Sequence, residues 1–308
     1  MDAPAHENEA LSHWHIWLKY KDKICPFLPD RRDLASQIEF LDLIADSMHS
    51  YMFKVRIHEQ IYALKLYTIP DPGWTSSDKM SRVEDIVTSK DPFIAESRVY
   101  DCLAEYELEG QVGPKCHGWL TISREQEQAL DDRFNLTNGY TSNDVGLIYE
   151  LKKMDRRQWL GFRQSPENTS DPVRGLLLDY IDGAGIGKGT LNASAAASLR
   201  SQLDRLHSLD IAHGDFYPRN IMVSKDGNPY LIDFSSAKLW PCRGFQMKKR
   251  RFDGYMRDER CALEYYLFQL QKLKRHRELE ISHAKSDEDA YGGEVSWFVE
   301  GFKHEFVD

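Results

Sequence analysis

Three oxygen-bearing side chains in the second half of the chain have the types and spacing that phosphoryl transfer requires. Asn220 opens one predicted strand and Asp233 follows the next, and the Asp-Gly turn at 226–227 predicts a tight hairpin between them. The hairpin places these two side chains side by side, and amide and carboxylate oxygens are the ligands that Mg²⁺ prefers. Asp215, on the loop before the hairpin, can orient a substrate hydroxyl and accept its proton. Each residue taken singly is better explained as a turn or capping residue, but their order on one loop and hairpin favours a catalytic site.

The segment that carries these residues resembles the protein-kinase-like superfamily. Residues 213–220 match H-x-D-x-x-x-x-N, and two apolar residues precede the Asp-Phe pair at 233–234. The His-Gly-Asp form and the lead-in at 206–212 are most similar to aminoglycoside-type and choline-type small-molecule kinases and to compact atypical protein kinases. The resemblance covers most of residues 38–275 but is specific only between 206 and 235.

The resemblance implies a role for each of these side chains. Asp215 is expected to be the catalytic base, and Asn220 and Asp233 are expected to bind Mg²⁺ and the nucleotide. His213 is expected to be a structural residue of the loop. The implied reaction transfers the γ-phosphoryl group of ATP, with Mg²⁺, to a hydroxyl of an unknown acceptor, either a protein or a small molecule.

The resemblance also implies a lysine on the third strand of an N-terminal sheet. Lys65 lies in an I-Y-A-L-K-L segment that looks like the V-A-I-K element, so we expect it to contact the α- and β-phosphates. Its expected ion-pair partner is Glu96 on the following helix, with Glu105 and Glu107 as rivals nearer the helix end. Residues 70–92 are then an insertion between the strand and the helix.

A glycine-rich stretch at 182–190 looks like a phosphate-binding loop but departs from that pattern at two positions. Asp182 stands where the first Gly belongs and Gly189 stands where Ser or Thr belongs. We interpret this stretch as a hinge and linker between two lobes. The residues expected to line the adenine pocket precede it directly and are Asp179, Tyr180 and Ile181.

Several features depart from an ordinary regulated protein kinase. Residues 45–50, at the place of the glycine-rich loop, contain no glycine, and Gly214 replaces the Arg of H-R-D. Ser235 replaces the Gly of D-F-G, and no A-P-E element follows it. These departures leave open a pseudokinase, that is, a nucleotide-binding interaction module without turnover. Transfer of another group, such as AMP, on the same scaffold is a third reading.

Hydrophobic periodicity predicts the elements that position these residues. We expect strands at 38–44, 51–57, 61–67, 116–122, 145–149, 175–181, 221–223 and 230–232, and helices at 93–108, 193–208 and 257–276. We therefore predict an α+β, two-lobed protein-kinase-like fold. Its N-lobe is an antiparallel β-rich sheet with one helix, and its shortened C-lobe is mostly helical. The predicted boundaries are an N-terminal extension at 1–35, the N-lobe with insertions at 36–178, and the hinge with the C-lobe at 179–308.

Composition and charge exclude several other classes of protein. The 308 residues are 41% hydrophobic, which is enough for a sizeable core, and no apolar run reaches the length of a membrane span. A net charge of −9 argues against a protein that coats nucleic acid. Five scattered cysteines without a C-x-x-C pair, and an N-terminus unlike a signal peptide, predict an intracellular protein, cytoplasmic or nuclear. The basic run at 248–251 is a solvated face, a nuclear signal or a site for phosphorylated ligands.

Overall fold

A computed structural model describes residues 13–47, 50–67, 91–134, 136, 172–186, 192–241 and 247–284. Within these residues the chain is an α+β protein with one five-stranded antiparallel sheet, two small sheets and several helices. The predicted strand at 145–149, nearly all of the predicted insertion at 70–92 and the tail after 284 lie outside the described residues. The two-lobed arrangement and its boundaries stay predictions.

The bounds of the elements are as follows. The helices are α1 (His13–Ile24), α2 (Pro92–Glu105), α3 (Arg124–Phe134), α4 (Ala193–Ser208) and α5 (Lys249–Ala284). The strands are β1 (Glu39–Asp46), β2 (Ser50–Ile57), β3 (Gln60–Tyr67), β4 (Cys116–Ile122), β5 (Val173–Asp179), β6 (Gly183–Gly185), β7 (Ile211–Ala212), β8 (Ile221–Ser224), β9 (Pro229–Leu231) and β10 (Lys238–Leu239). Two 3₁₀ helices cover Arg32–Gln37 and Pro218–Asn220.

The large sheet has the strand order β1-β2-β3-β5-β4, and all of its neighbouring strands are antiparallel. The predicted hairpin of β2 and β3 is present, and His58 begins its turn with a left-handed φ of 53°. Successive side chains of a strand point to opposite faces. Leu64 and Leu66 of β3 therefore join the apolar core on one face. Lys65 and Tyr67 contact α2 on the other face.

The large sheet has a helix on each face, so the prediction of one helix for this region is wrong. α2 covers the face of Lys65, whereas α3 contributes Leu130 to the apolar core on the opposite face. The sequence of α3 is strongly charged, and Leu130 and Phe134 are its largest apolar residues. Because so few apolar residues mark the buried side, the helical period of α3 does not stand out in the sequence.

The N-terminal segment packs against α2 and β4. Trp17 is fully buried, and its ring centroid lies 4.5 Å from that of Trp119 in β4. The carboxylate of Asp101 in α2 accepts hydrogen bonds from the backbone N–H groups of Phe27 and Leu28, each at 2.7 Å. These contacts fasten the N-terminal segment to both α2 and the edge strand β4.

The predicted hairpin in the second half of the chain is formed by β8 and β9, with Gly227 of its turn at a φ of 83°. Helix α4 has the predicted bounds, and the Asn192 side chain caps it by accepting a hydrogen bond from the Ala195 N–H group at 2.8 Å. Helix α5 starts and ends well outside the predicted range of 257–276.

Residues 1–263 form one unit, and a second unit begins at Glu264. The structure describes the second unit as far as Ala284, where it is the continuation of helix α5. None of the helices in the described part of the chain combines the length and the apolar character that crossing a membrane requires.

Candidate functional site

Lys65 lies at the centre of the large sheet and joins three parts of the chain. Its strand neighbours are Met52 in β2 and Leu176 in β5, and its side chain is 4% exposed. The Nζ group donates hydrogen bonds to Oε2 of Glu96 at 2.5 Å and to Oδ1 of Asp233 at 2.6 Å. Burial alone lowers the pKa of Lys65, but the attraction of the two carboxylates outweighs it and raises the pKa. Lys65, Glu96 and Asp233 are called the lysine cluster below.

Glu96 is the helix glutamate that contacts Lys65. Its side chain is 1% exposed, and its Oε2 also accepts a hydrogen bond from the Tyr67 hydroxyl at 2.5 Å. Tyr67 follows Lys65 by two residues in β3, so strand alternation alone could have assigned it to this site. The rivals Glu105 and Glu107 lie at and beyond the helix end and are exposed.

The N-terminus of α2 is fastened to the sheet by a second buried ion pair. The Asp91 side chain caps the helix by accepting a hydrogen bond from the Phe93 N–H group at 3.0 Å. Its Oδ2 also accepts a hydrogen bond from an Nη group of Arg174 in β5 at 2.7 Å. Both side chains are almost fully buried. This pair fixes the start of α2 relative to β5. It thereby positions Glu96, little more than one turn further along the helix, opposite Lys65.

Asp233 follows β9 and has a left-handed backbone with a φ of 64°. The backbone N–H of Ile232 donates a hydrogen bond to the carbonyl oxygen of Asn220 at 2.9 Å, which holds this segment against the start of β8. Burial raises the pKa of the Asp233 carboxyl, but the attraction and hydrogen bond of Lys65 outweigh it and lower the pKa well below its usual range. Asp233 is therefore ionised at neutral pH.

Asp215 and Asn220 are held together on the loop before β8. The Nδ2 group of Asn220 donates hydrogen bonds to the Asp215 carbonyl oxygen at 2.7 Å and to Oδ2 at 2.8 Å. Arg219 donates from one Nη group to both carboxylate oxygens of Asp215, at 2.8 and 2.9 Å. Arg219 was not predicted from the sequence, because residues 215–219 form a loop and a 3₁₀ turn, where a four-residue spacing does not indicate a pair.

The backbone just before Asp215 is fixed by Glu259 of α5, a contact that was not predicted from the sequence. Its carboxylate accepts hydrogen bonds from the backbone N–H groups of His213 at 3.1 Å and Gly214 at 2.8 Å. His207 Nε2 lies 2.8 Å from the same carboxylate. Gly214 has a φ of 78°, and a Cβ there would overlap the carbonyl oxygen of Ser236. The Gly in place of the Arg of H-R-D therefore meets a local backbone requirement.

His213 supports the loop from inside. Its ring is fully buried, with its centroid 5.1 Å from that of Phe234, and its Nε2 lies 3.0 Å from the carbonyl oxygen of Ile232. Burial lowers the pKa of His213, because desolvation outweighs the attraction of Glu259. The ring is therefore neutral at pH 7, with Nε2–H donating to the carbonyl group.

The residues of this site fit a hard divalent cation. Because Asn220 turns its Nδ2 group to Asp215, its Oδ1 takes part in no hydrogen bond with the described residues. Ionised Asp233 supplies a second oxygen donor across the hairpin. The described residues contain no cluster of three or more His, Cys, Asp or Glu side chains that could hold a metal ion. A cation here would therefore need phosphate oxygens or water for its remaining ligands.

The predicted hinge residues lie at the end of β5, apart from the lysine cluster. The Asp179 carboxylate lies 2.7 Å from Nε2 of His117, and Nζ of Lys54 lies 4.4 Å from the ring centroid of Tyr180. Ile181 is partly buried. No contact within the described residues joins these three to the lysine cluster, so their role in an adenine pocket stays a prediction.

The stretch interpreted as hinge and linker begins with a strand. Asp182 accepts a hydrogen bond from Nζ of Lys225 at 2.6 Å, and Gly183–Gly185 pair with β8 as β6. The later part of this stretch, residues 187–190, lies outside the described residues.

Two comparisons with known proteins bear on this site. The chain is 36% identical over 64 residues to the cAMP-dependent protein kinase catalytic subunit 3 of Drosophila melanogaster. That match covers 21% of this chain and 11% of the kinase. A family model described as Kinetochore Sim4 complex subunit FTA2 matches residues 21–238, which include the whole lysine cluster and the loop of Asp215. The kinase match supports a kinase-like relationship for that short part of the chain and nothing more. Since the family model spans more than two thirds of the sequence, the chain belongs to the FTA2 family.

Proposed function

We propose that this protein is an ATP- and Mg²⁺-dependent phosphotransferase, on a two-lobed kinase-like fold, that transfers the γ-phosphoryl group to a hydroxyl of a protein or small molecule. The observation that carries the proposal is the lysine cluster. One buried amine is bonded to a helix glutamate and to an aspartate after the hairpin. Lys65 and Glu96 are almost fully buried, and Asp233 is one-third exposed. Buried charges are costly, and groups with strongly shifted pKa values concentrate at functional sites.

Each residue of the site has a role in this proposal. Lys65 orients phosphate oxygens, and Glu96 holds the amine in place. Asn220 and Asp233 would hold Mg²⁺, and the bound ion would offset the negative charge of the phosphates. Asp215 orients the acceptor hydroxyl and takes its proton, and Arg219 balances the charge of Asp215 before the acceptor arrives.

The test combines binding with turnover. Thermal unfolding is followed with ATP, with and without Mg²⁺, and ADP formation is measured over hours in the same buffers. Nucleotide at about 100 times its Kd stabilises the fold by about 2.7 kcal/mol. We expect a Mg²⁺-dependent shift that Asp233→Asn abolishes, and ADP formation that Asp215→Ala abolishes without loss of the shift. Asp226→Ala, on the exposed turn of the same hairpin, is the matched control and keeps both.

A nucleotide-binding interaction module without turnover is the second candidate. Both carboxylate oxygens of Asp215 already accept hydrogen bonds, which leaves the proposed base less available. The family description names a subunit of a kinetochore complex. For this candidate, the proposed partners are therefore other protein subunits of such a complex. A Mg²⁺-dependent shift without ADP formation favours it over the enzyme. Mass analysis of the products separates phosphoryl transfer from transfer of AMP.

A further inference from the structure

A cluster of basic side chains surrounds an open cavity at the start of helix α5. The cavity has a volume of about 510 Å³. Its lining consists of Lys248, Arg250, Arg251, Gly254, Tyr255, Arg257 and Asp258. We call this the basic pocket. Four cations and one carboxylate give it a formal charge of +3, in a chain whose net charge is −9.

The four cationic side chains of the basic pocket are exposed and form no ion pair with the described residues. Lys248, Arg250, Arg251 and Arg257 form no ion pair or side-chain hydrogen bond with any residue that the structure describes. Lys249, next to them, differs because it pairs with Asp210 and Asp253 at 2.5 and 3.2 Å. Because residues three, four and seven apart share one face of a helix, Arg250, Gly254 and Arg257 line one side of α5.

Two local rules of helix formation are broken at this place. The first turn of α5 contains no acidic residue and several basic ones, although the positive end of the helix dipole favours anions there. Gly254 lies inside the helix, where Gly costs about 1 kcal/mol relative to Ala. A Cβ at position 254 would meet only one guanidinium nitrogen of Arg257, at 3.7 Å, so packing does not require this Gly. An anion in the pocket explains both features, since it offsets the charge and occupies the space that Gly leaves open.

The pocket adjoins the loop of the candidate site. Nζ of Lys238 lies 5.0 Å from the ring centroid of Tyr255, and Lys238 in β10 pairs with Ala212, directly before His213. On the same helix, Phe252 is fully buried and Glu259 accepts hydrogen bonds from the loop backbone. The helix is therefore a firm support for the pocket.

We propose that the basic pocket binds a phosphate group carried by a protein segment. Arginine side chains form paired hydrogen bonds with phosphate, and a phosphorylated side chain carries about −1.5 to −2 charges at pH 7, which matches several cations better than a single carboxylate does. Nucleic acid is the less suitable ligand, because the cations are confined to ten residues of an acidic chain and do not form an extended track. Binding of this segment does not require that the protein transfers phosphate. If the segment is part of the acceptor, that assignment rests on the proposed function.

The test measures binding to the full chain by fluorescence anisotropy. The probe is a labelled Gly/Ser peptide of ten residues with two phosphoserines, compared with its unphosphorylated form and with a labelled ten-nucleotide thymidine strand. We expect the phosphopeptide to bind at least tenfold more tightly than either. Arg251→Glu and Arg257→Glu should each weaken it at least tenfold, whereas Lys272→Glu, an exposed residue further along α5, changes the net charge equally and leaves binding unchanged.

Two further variants separate a pocket from general charge attraction and from catalysis. Gly254→Leu adds a bulky apolar side chain to the lining of the pocket without a change of charge and should weaken phosphopeptide binding at least tenfold. Asp215→Ala should bind the phosphopeptide as tightly as the wild type does, even if neither protein forms ADP. The binding result can therefore be interpreted even if the proposed function is wrong. The proposal is overturned by equal binding of the two peptides, by tighter binding of the thymidine strand, or by full binding in Gly254→Leu with circular dichroism unchanged.

Discussion

The buried pair of Lys65 and Glu96 permits a quantitative test of the lysine cluster. Lys65→Met removes the amine and keeps most of the side-chain volume. Glu96 is then left as an almost fully buried carboxylate whose remaining partner is the Tyr67 hydroxyl. Removing one member of a buried ion pair costs about 3–5 kcal/mol, because the other charge is left uncompensated. With an unfolding entropy of about 2.1 cal/mol/K per residue, 308 residues give about 1.5 °C per kcal/mol, so we expect the midpoint to fall by about 5–8 °C.

The double variant separates the ion pair from the two side chains. Lys65→Met with Glu96→Gln contains no uncompensated charge at this pair, so it should recover much of the loss. We expect a coupling free energy of at least about 2 kcal/mol in the double-mutant cycle, measured by urea unfolding at pH 7. Arg56→Met with Glu39→Gln is the matched control on the same sheet, since that pair is 2.8 Å long but 45% and 57% exposed. Its coupling should stay below about 1 kcal/mol. Additive effects of the two cluster substitutions, within about 0.5 kcal/mol, would refute the reasoning.

Three other predictions concern the loop and helix α2. His213 has a lowered pKa in the folded protein, so its contribution to stability is present above its unfolded pKa and is lost as the pH falls below about 6.5. His213→Gln should therefore remove up to about 1.4 kcal/mol per pH unit from the slope of unfolding free energy against pH between 5 and 6.5. Burial raises the pKa of Asp101 to about 6, against the hydrogen bonds from Phe27 and Leu28. Its effect has the opposite sign: stability falls as the pH rises from about 4 to about 6, and Asp101→Asn should flatten that fall in acid titrations of the same kind. Gly214→Ala should lower the unfolding free energy by at least about 1 kcal/mol in urea, because of its left-handed backbone, and a variant as stable as the wild type would contradict the clash with Ser236.

Short-range patterns predicted the parts of the fold and site that depend on neighbours in sequence. Alternation gave the hairpin of β2 and β3, the Asp-Gly turn gave the hairpin of β8 and β9, and Asn192 marked the start of α4. The family resemblance then supplied Lys65 and Glu96, which the structure places in contact although they are 31 residues apart.

Contacts that depend on distant segments were not predictable in the same way. Asp91 and Arg174 are 83 residues apart, and Glu259 is 45 residues from Gly214, so no local period or turn signal connects either pair. Helix α3 was missed because its buried side has few apolar residues. Helix α5 was predicted too short because its first turn is basic, which is the reverse of the usual signal for a helix start.

The ion pair of Asp91 and Arg174 has a consequence for how helix α2 can move. If α2 swung away from the sheet, it would break this almost fully buried pair and the contact of Lys65 with Glu96 at the same time. Water would then solvate the separated charges, so the cost of this motion is smaller than that of removing one partner from a buried pair. A ligand favours the swung-out state only by the difference between its affinities for the two states. Because both pairs join α2 to the sheet, they form and break together when the helix moves.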